Sequence, residues 1–337
     1  MHWPCADCSE NQAIQEAYSG VGVAVLGASG FIGRWVARTL EACGASVTSI
    51  VRNPDDSIPG TSLYQAELSL PGAATDAIAD IQPSIVFNVA GYGVDRSERN
   101  PDLARRLNHE LPAEVARACG HIADDWRGQR LVHIGSALEY GTATGDLAES
   151  SQSGTPTELY GQTKLAGTRA LTGIAKELAL QALTARLFTV YGHGEHIGRL
   201  MPSLLEASVS GGQLPMTEGR QLRDFTYVED VVEGLLRLGM IAGRTAGQPV
   251  NLATGTLTSV RAFATEVASA VGLRSSQLGF GEIPTRVEEM AHLPVNLDRL
   301  ASLVDWKPPT AIACGARRTI AIFEKARKLE LNGGNRV

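Results

Sequence analysis

Tyr160-Gly-Gln-Thr-Lys164 sets a phenol and an ammonium four residues apart, which on a helix puts both on one face. An ammonium beside a phenol favours the phenolate, so Lys164 is expected to pull the Tyr160 pKa down towards the working pH. Ser136 closes an apolar run upstream and offers a hydroxyl to hold a substrate oxygen. The three side chains could together move a proton to or from a carbonyl or alcohol oxygen. A Tyr-x-x-x-Lys alone is common on amphipathic helices, so the reading depends on a second signal.

That signal is Gly27-Ala-Ser29-Gly30-Phe31-Ile32-Gly33, between an apolar run, Val21 to Leu26, and a helical stretch, Phe31 to Ala42. Glycines there permit a tight turn, close approach of backbone to a pyrophosphate, and close packing of helix on strand. The helix N-terminus adds unpaired N–H groups and a partial positive charge. The spacing differs from Gly-x-Gly-x-x-Gly, and the strand-to-helix placement gives the motif its weight. A second strand ends at Ser49-Ile-Val-Arg52-Asn53, with arginine where an NAD site commonly holds a carboxylate. Arginine pairs with a 2′-phosphate and stacks on adenine, so NADP(H) is the expected cofactor and NAD(H) the alternative.

The elements that must position these groups alternate. Strands are expected at Val21–Leu26, Val47–Val51, Leu63–Leu68, Ser84–Ala90, Arg130–Gly135 and Leu183–Val190. Helices are expected at 31–42, 73–80, 102–119 and Pro156–Leu178. Such alternation implies βαβ units: an α/β, Rossmann-type doubly wound parallel sheet with a smaller C-terminal substrate-binding lobe. Residues 1–20 read as an extension outside the fold and 21–192 as the NAD(P)-binding domain. Residues 193–330 read as mainly the lobe, including a helix at 229–241 and a strand at 249–252, with some return to the main sheet, and 331–337 as a tail.

A chain of 337 residues, 44% hydrophobic and 20% charged, has material for one large domain with an appended lobe. Thirty Lys plus Arg against 36 Asp plus Glu give a net charge of −6, which argues against nucleic acid as a partner. No apolar run reaches the roughly 18–20 residues of a membrane span, and no secretory signal pattern opens the chain, so a cytoplasmic location is expected. Five cysteines form no disulfide framework. Cys5 and Cys8 make a CxxC without a second ligand pair, and His193 and His196 lie in a glycine-rich loop, so no metal is expected.

Gly27–Gly33, Asn88-Val89-Ala90, Ser136-Ala137-Leu-Glu-Tyr-Gly141, Tyr160–Lys164 and Arg223-Asp-Phe-Thr-Tyr-Val-Glu-Asp230 occur in that order. Over about residues 21–325 the chain thereby resembles the extended short-chain dehydrogenase/reductases of the NAD-dependent epimerase/dehydratase family, which act on nucleotide sugars. The resemblance implies Ser136, Tyr160 and Lys164 as the catalytic set. It places Gly27, Ser29, Gly30, Phe31, Ile32, Gly33, Arg52, Leu68, Asn88, Val89, Ala90, Asn108, Phe188 and Val190 about the cofactor, with Tyr160 and Lys164. Ser136, Ala137, Thr189, Arg199, Arg223 and Arg286 fall at substrate positions, Thr189 standing where the family often has asparagine. Several arginines suit a dianionic diphosphate. A homodimer is implied through the helices around 102–119 and 156–178, where Gly161, Ala166, Gly167 and Ala170 permit close packing.

Within this family, 4,6-dehydratases follow their Ser/Thr with Asp and Glu. Here Ala137 and Leu138 stand at those positions and neither moves a proton. The expected reaction is NADPH-dependent reduction of the C4 ketone of a nucleotide-linked 4-keto-6-deoxyhexose. The alternatives are an NAD-dependent 4-epimerase and a non-catalytic NADP-sensing protein.

Overall fold

The computed structural model describes residues 8–94, 97–122, 125–143, 145–151, 154–285 and 292–333. In chain order the first part runs α1 (Cys8–Tyr18), β1 (Gly22–Leu26), α2 (Phe31–Ala42), β2 (Ser46–Val51), β3 (Ser62–Gln65), α3 (Ala73–Ile81), β4 (Ile85–Asn88), α4 (Pro101–Arg105), α5 (Leu111–Cys119), β5 (Leu131–Ser136), α6 (Leu159–Glu177) and β6 (Ala182–Leu187). The second part adds β7 (Thr189–Tyr191), α7 (Leu200–Ser210), β8 (Leu214–Met216), β9 (Leu222–Tyr227), α8 (Val228–Gly239), β10 (Pro249–Leu252), β11 (Leu257–Ser259), α9 (Val260–Ala270), β12 (Leu278–Phe280), α10 (Asp298–Val304) and α11 (Ile312–Gly333).

Seven strands form one sheet in the order β10-β6-β5-β4-β1-β2-β3, with every pairing parallel. β4, β5 and β6 are buried along their whole length, which is why their sequences are apolar runs rather than alternating patterns. One face, with Val23, Val25, Phe87 and Val132, packs on Val36 and Leu40 of α2 and Val232 and Leu235 of α8. The other, with Ala24, Leu26, Val86 and Leu131, packs on Ile78 of α3, Val115 of α5 and Leu171 and Ile174 of α6. The strand order reverses between β1 and β4, opening a crevice at their C-terminal ends where such sheets bind ligands.

Several boundaries differ from the sequence reading for physical reasons. β3 ends at Gln65, and Leu68 is buried beyond it. The expected sixth strand divides at Phe188: β6 stays in the main sheet, while β7 pairs in parallel with β9 in a separate three-stranded sheet with β11. Strand 249–252 and the helix before it return to the main sheet, as its last strand and as cover. The smaller lobe is built from β7, β8, β9, β11 and β12 with α7 and α9, around Phe225 stacked on Phe263 at 4.0 Å.

Residues 1–20 do not all lie outside the fold. Ile14 and Tyr18, one helical turn apart on α1, are buried in the main core, and the Tyr18 hydroxyl donates to the Leu236 carbonyl at 2.8 Å. Cys5 lies outside the described residues. Tyr18→Ala is expected to cost about 3–5 kcal/mol by removing a fully buried ring. A loss under about 1 kcal/mol in urea unfolding would return α1 to the status of an appendage.

The expected helix over 102–119 is interrupted by a π-helical turn, Arg106–Glu110. Pro112 has no N–H to give the Asn108 carbonyl four residues earlier, so regular bonding cannot continue there. That carbonyl faces Gly167 of α6, where a Cβ would overlap it. Gly161 likewise lets α6 approach the Leu138 carbonyl, at 2.7 Å from a Cβ position. Both glycines expected at a dimer interface thus serve packing within the chain.

Candidate active site

The glycine turn joins β1 to α2 at the crevice. Gly27 has φ +77°, and a Cβ there would stand 2.8 Å from the Ala90 backbone. At Gly33 a Cβ would overlap the Gly27 carbonyl and lie 2.9 Å from the Ala28 Cα, so α2 reaches β1 only with glycine. Gly30 is different: its φ is −73°, and a Cβ would meet only the Gly27 carbonyl, at 3.3 Å. Its small size serves whatever approaches from outside. α2 has neither a side-chain cap nor an acidic residue in its first turn, leaving N–H groups and dipole for an anion. Ser29, Phe31 and Ile32 are half-buried about this turn. Arg34, which sequence reasoning missed, ties its side chain to the Ser29 carbonyl at 2.7 Å and to Asp56 at 3.1 Å.

Asn88 ends β4, with Val89 and Ala90 following it directly beside the turn, and neither polar atom of the buried Asn88 amide has a partner among the described residues. Arg52 is exposed at the end of β2. The turn, the uncapped helix end and Arg52 fit a dinucleotide, which when bound supplies the hydride that no side chain here can.

Ser136 ends β5 and begins a single 3₁₀ turn, Ala137–Tyr140, as its N-cap. Tyr160 and Lys164 stand one turn apart on α6, which packs against that turn and β5. Lys164 is buried, and its ammonium donates to the Ile134 carbonyl at 2.9 Å, close to Gly91 and to the Asn108 side chain. Asn108 is held in turn by Tyr92 N–H at 2.9 Å and by donating to the Tyr92 carbonyl at 2.7 Å. Gly93, at φ +99°, lets the Tyr160 ring pass, 3.2 Å from a Cβ position.

Electrostatics here depart from the sequence expectation. Burial pushes the Tyr160 phenol up to about 12, with Glu139 adding to it, while the hydrogen bond with Ser136 and the Arg199 charge oppose. Burial brings Lys164 itself down to about 8, against the pull of Glu139. His133, beneath it on β5, is held well below its ordinary value, first by burial and then by Lys164.

Glu139 was quoted in the sequence motif but given no role. Its fully buried carboxylate accepts the Ser136 N–H at 2.8 Å through one oxygen and binds Arg186 Nε at 2.9 Å through the other. The signal was present: Ser-x-x-Glu is the spacing of a capping box.

The substrate-side residues are brought together only in part. Ala137 is buried beside Ser136, and Thr189 is half-buried at the start of β7. Val190 is buried, while half-buried Phe188 meets His292 edge-on at 5.2 Å. His292, also missed, accepts the Asp224 N–H at 2.9 Å, and burial with the nearby Arg223 charge brings it down to about 3. His292 thus links Phe188 to the strand carrying Arg223. Arg199 at the start of α7 is paired with Glu195 at 3.3 Å. Burial raises that carboxyl to about 7 even with Arg199 opposing. Arg286 lies outside the described residues.

A seven-stranded parallel sheet, a glycine turn at its switch point and a Ser-Tyr-Lys set at its rim define the short-chain dehydrogenase/reductase class. The model of the NAD dependent epimerase/dehydratase family matches residues 23–253, and the chain belongs to that family. It is 28% identical to a UDP-glucose 4-epimerase of Mycolicibacterium smegmatis, over 89% of this chain and 97% of that protein. It is 30% identical to a dTDP-6-deoxy-L-talose 4-dehydrogenase (NAD(P)(+)) of Kitasatospora kifunensis, over 71% of this chain and 76% of that one. Among solved structures, MoeE5 in complex with UDP-glucuronic acid and NAD superposes with a TM-score of 0.77 at 27% identity, over 90% of this chain and 99% of its own. Among the described residues, no helix is long and apolar enough to cross a membrane.

Proposed function

We propose that this chain reduces the C4 ketone of a nucleotide-linked 4-keto-6-deoxyhexose, with NADPH as the hydride source. The observation that carries the reading is the turn after Ser136. There Ala137 and Leu138 provide no acid or base for removing water, while Tyr160 stands beside Ser136 with its phenol protonated. Ser136 and Tyr160 would hold the ketone oxygen, and Tyr160 gives up its proton as charge develops on that oxygen. Lys164 would bind the nicotinamide ribose from its seat on the Ile134 carbonyl and keep positive charge near the phenolate that remains. Arg223, with Arg199 once released from Glu195, would meet the diphosphate, whose two charges suit guanidinium forks. Support also comes from the Kitasatospora relative, a dTDP-6-deoxy-L-talose 4-dehydrogenase (NAD(P)(+)) by name. We also propose that the chain works in the cytoplasm as a homodimer.

The second reading is an NAD-dependent 4-epimerase, favoured by the mycobacterial relative's coverage of nearly the whole chain. Nicotinamide absorbance separates the two. A panel of NDP-4-keto-6-deoxyhexoses should drive net NADPH oxidation, with NADH poorer. Arg52→Asp should lower the NADPH-over-NADH preference by about 10- to 100-fold, through loss of a charge-assisted contact to the 2′-phosphate. An unchanged preference would make Arg52 a solvated strand-end cation. No net oxidation, with NAD copurifying and sugar isomers interconverting, would establish the epimerase.

A further inference from the structure

We propose that Glu139 is a positioning residue that biases the Tyr160–Lys164 pair to keep its protons, committing the site to reducing a ketone rather than to starting by oxidising an alcohol. The inference rests on the reductase reading above and deepens it. A carboxylate needed only to cap a 3₁₀ turn could sit at the surface, where water would screen it. Glu139 is instead wholly buried, and Gly135 makes room for it: a Cβ there would stand 2.5 Å from the Glu139 carboxylate. Its two oxygens are fixed by Ser136 N–H and Arg186 Nε, and Arg186 lies over the Tyr140 ring at 4.6 Å. The charge is therefore fixed in place, at the backbone of Ser136, in low dielectric.

The other charged groups about the pair are Arg186, which offsets part of the Glu139 charge from its far side, Arg199 and Glu98, which act on Tyr160 in opposite senses, and His133, which stays neutral below Lys164. Among these, Glu139 alone acts on both members, and it favours the proton on each. Reduction needs that state: the carbonyl carbon gains a hydride from NADPH, its oxygen gains the Tyr160 proton, and NADP+ and tyrosinate remain. Oxidation needs the reverse, a tyrosinate ready to accept the alcohol proton. A negative charge at Glu139 opposes that tyrosinate.

The test is the ionisation of Tyr160 itself, followed by NMR of tyrosine labelled at Cζ, with Tyr160→Phe assigning the resonance. Wild-type Tyr160 should remain protonated above the ordinary tyrosine value of about 10. Glu139→Gln should lower its midpoint by at least about one unit, and Glu139→Asp should restore it to within about half a unit. Because Glu139→Gln leaves Arg186 buried without its counter-charge, Glu139→Gln/Arg186→Gln, a neutral amide pair, should show a fall in the same direction, smaller because the offsetting Arg186 charge goes with it, if the single variant does not fold. In folded variants the alkaline limb of reductive kcat/KM, which follows Lys164, should also move to lower pH, because Glu139 favours the proton there as well. A Tyr160 midpoint unmoved by either Gln substitution overturns the proposal whatever the sugar assay reports. A lowered midpoint in a protein that oxidises no NADPH overturns the reductase reading and leaves control of the pair by Glu139 standing.

Discussion

Tyr160→Phe is expected to lower turnover by about 10²- to 10⁴-fold, the range over which a placed general acid acts, with cofactor affinity changed by no more than about threefold. The ring would remain against Gly93 and only the hydroxyl beside Ser136 would go, so packing is preserved while the proton donor is lost. Steady-state kinetics and a separate cofactor titration check the two halves. Turnover within about threefold of wild type would remove Tyr160 from the chemistry. The pH profile adds a sign. The phenol is pushed up to about 12 and the ammonium down to about 8, so reduction should be sustained at neutral pH and fall as pH rises through the Lys164 value.

Gly33→Ala carries the second large effect, through cofactor binding. The added methyl overlaps the Gly27 carbonyl and presses on the Ala28 Cα, both rigid backbone, so α2 must back away from β1. Overpacking of this kind costs about 1–3 kcal/mol of stability. It also withdraws the uncapped α2 N-terminus from the diphosphate, and NADPH affinity should drop by about 30-fold or more, taking the loss as about 2 kcal/mol of helix-terminus contact. Thermal unfolding and NADPH titration measure these separately. Unchanged affinity in a folded variant would mean that the turn does not face the dinucleotide.

The turn and the Tyr-Lys pair were legible because each is local: glycine spacing after an apolar run, and two residues one helical turn apart. The strands β4, β5 and β6 were legible because burial on both faces demands uninterrupted apolar runs. What sequence could not show depends on partners far along the chain. Glu139 drew no role from its motif, and spacing at most suggests a cap; its clamp is Arg186, 47 positions later. Lys164 was expected to pull the phenol down, but burial by elements distant in sequence pushes it up to about 12. β6 and β7 read as one strand because the break at Phe188 is a change of sheet, not of composition. Tyr18 sits in a polar leader, and its burial against Trp126 and Leu236 comes from distant elements. A hint was nevertheless available there, since Ile14 and Tyr18 share the spacing of a helix face.

The central claim is tested most directly by the fate of the hydride. NADPH deuterated at the transferable position of nicotinamide C4 is mixed with enzyme and an NDP-4-keto-6-deoxyhexose. The reductase account predicts one deuterium at sugar C4 for each NADP+ formed, with the label abolished by Tyr160→Phe. Sugar isomers interconverting with no deuterium gained and no NADP+ released would contradict it.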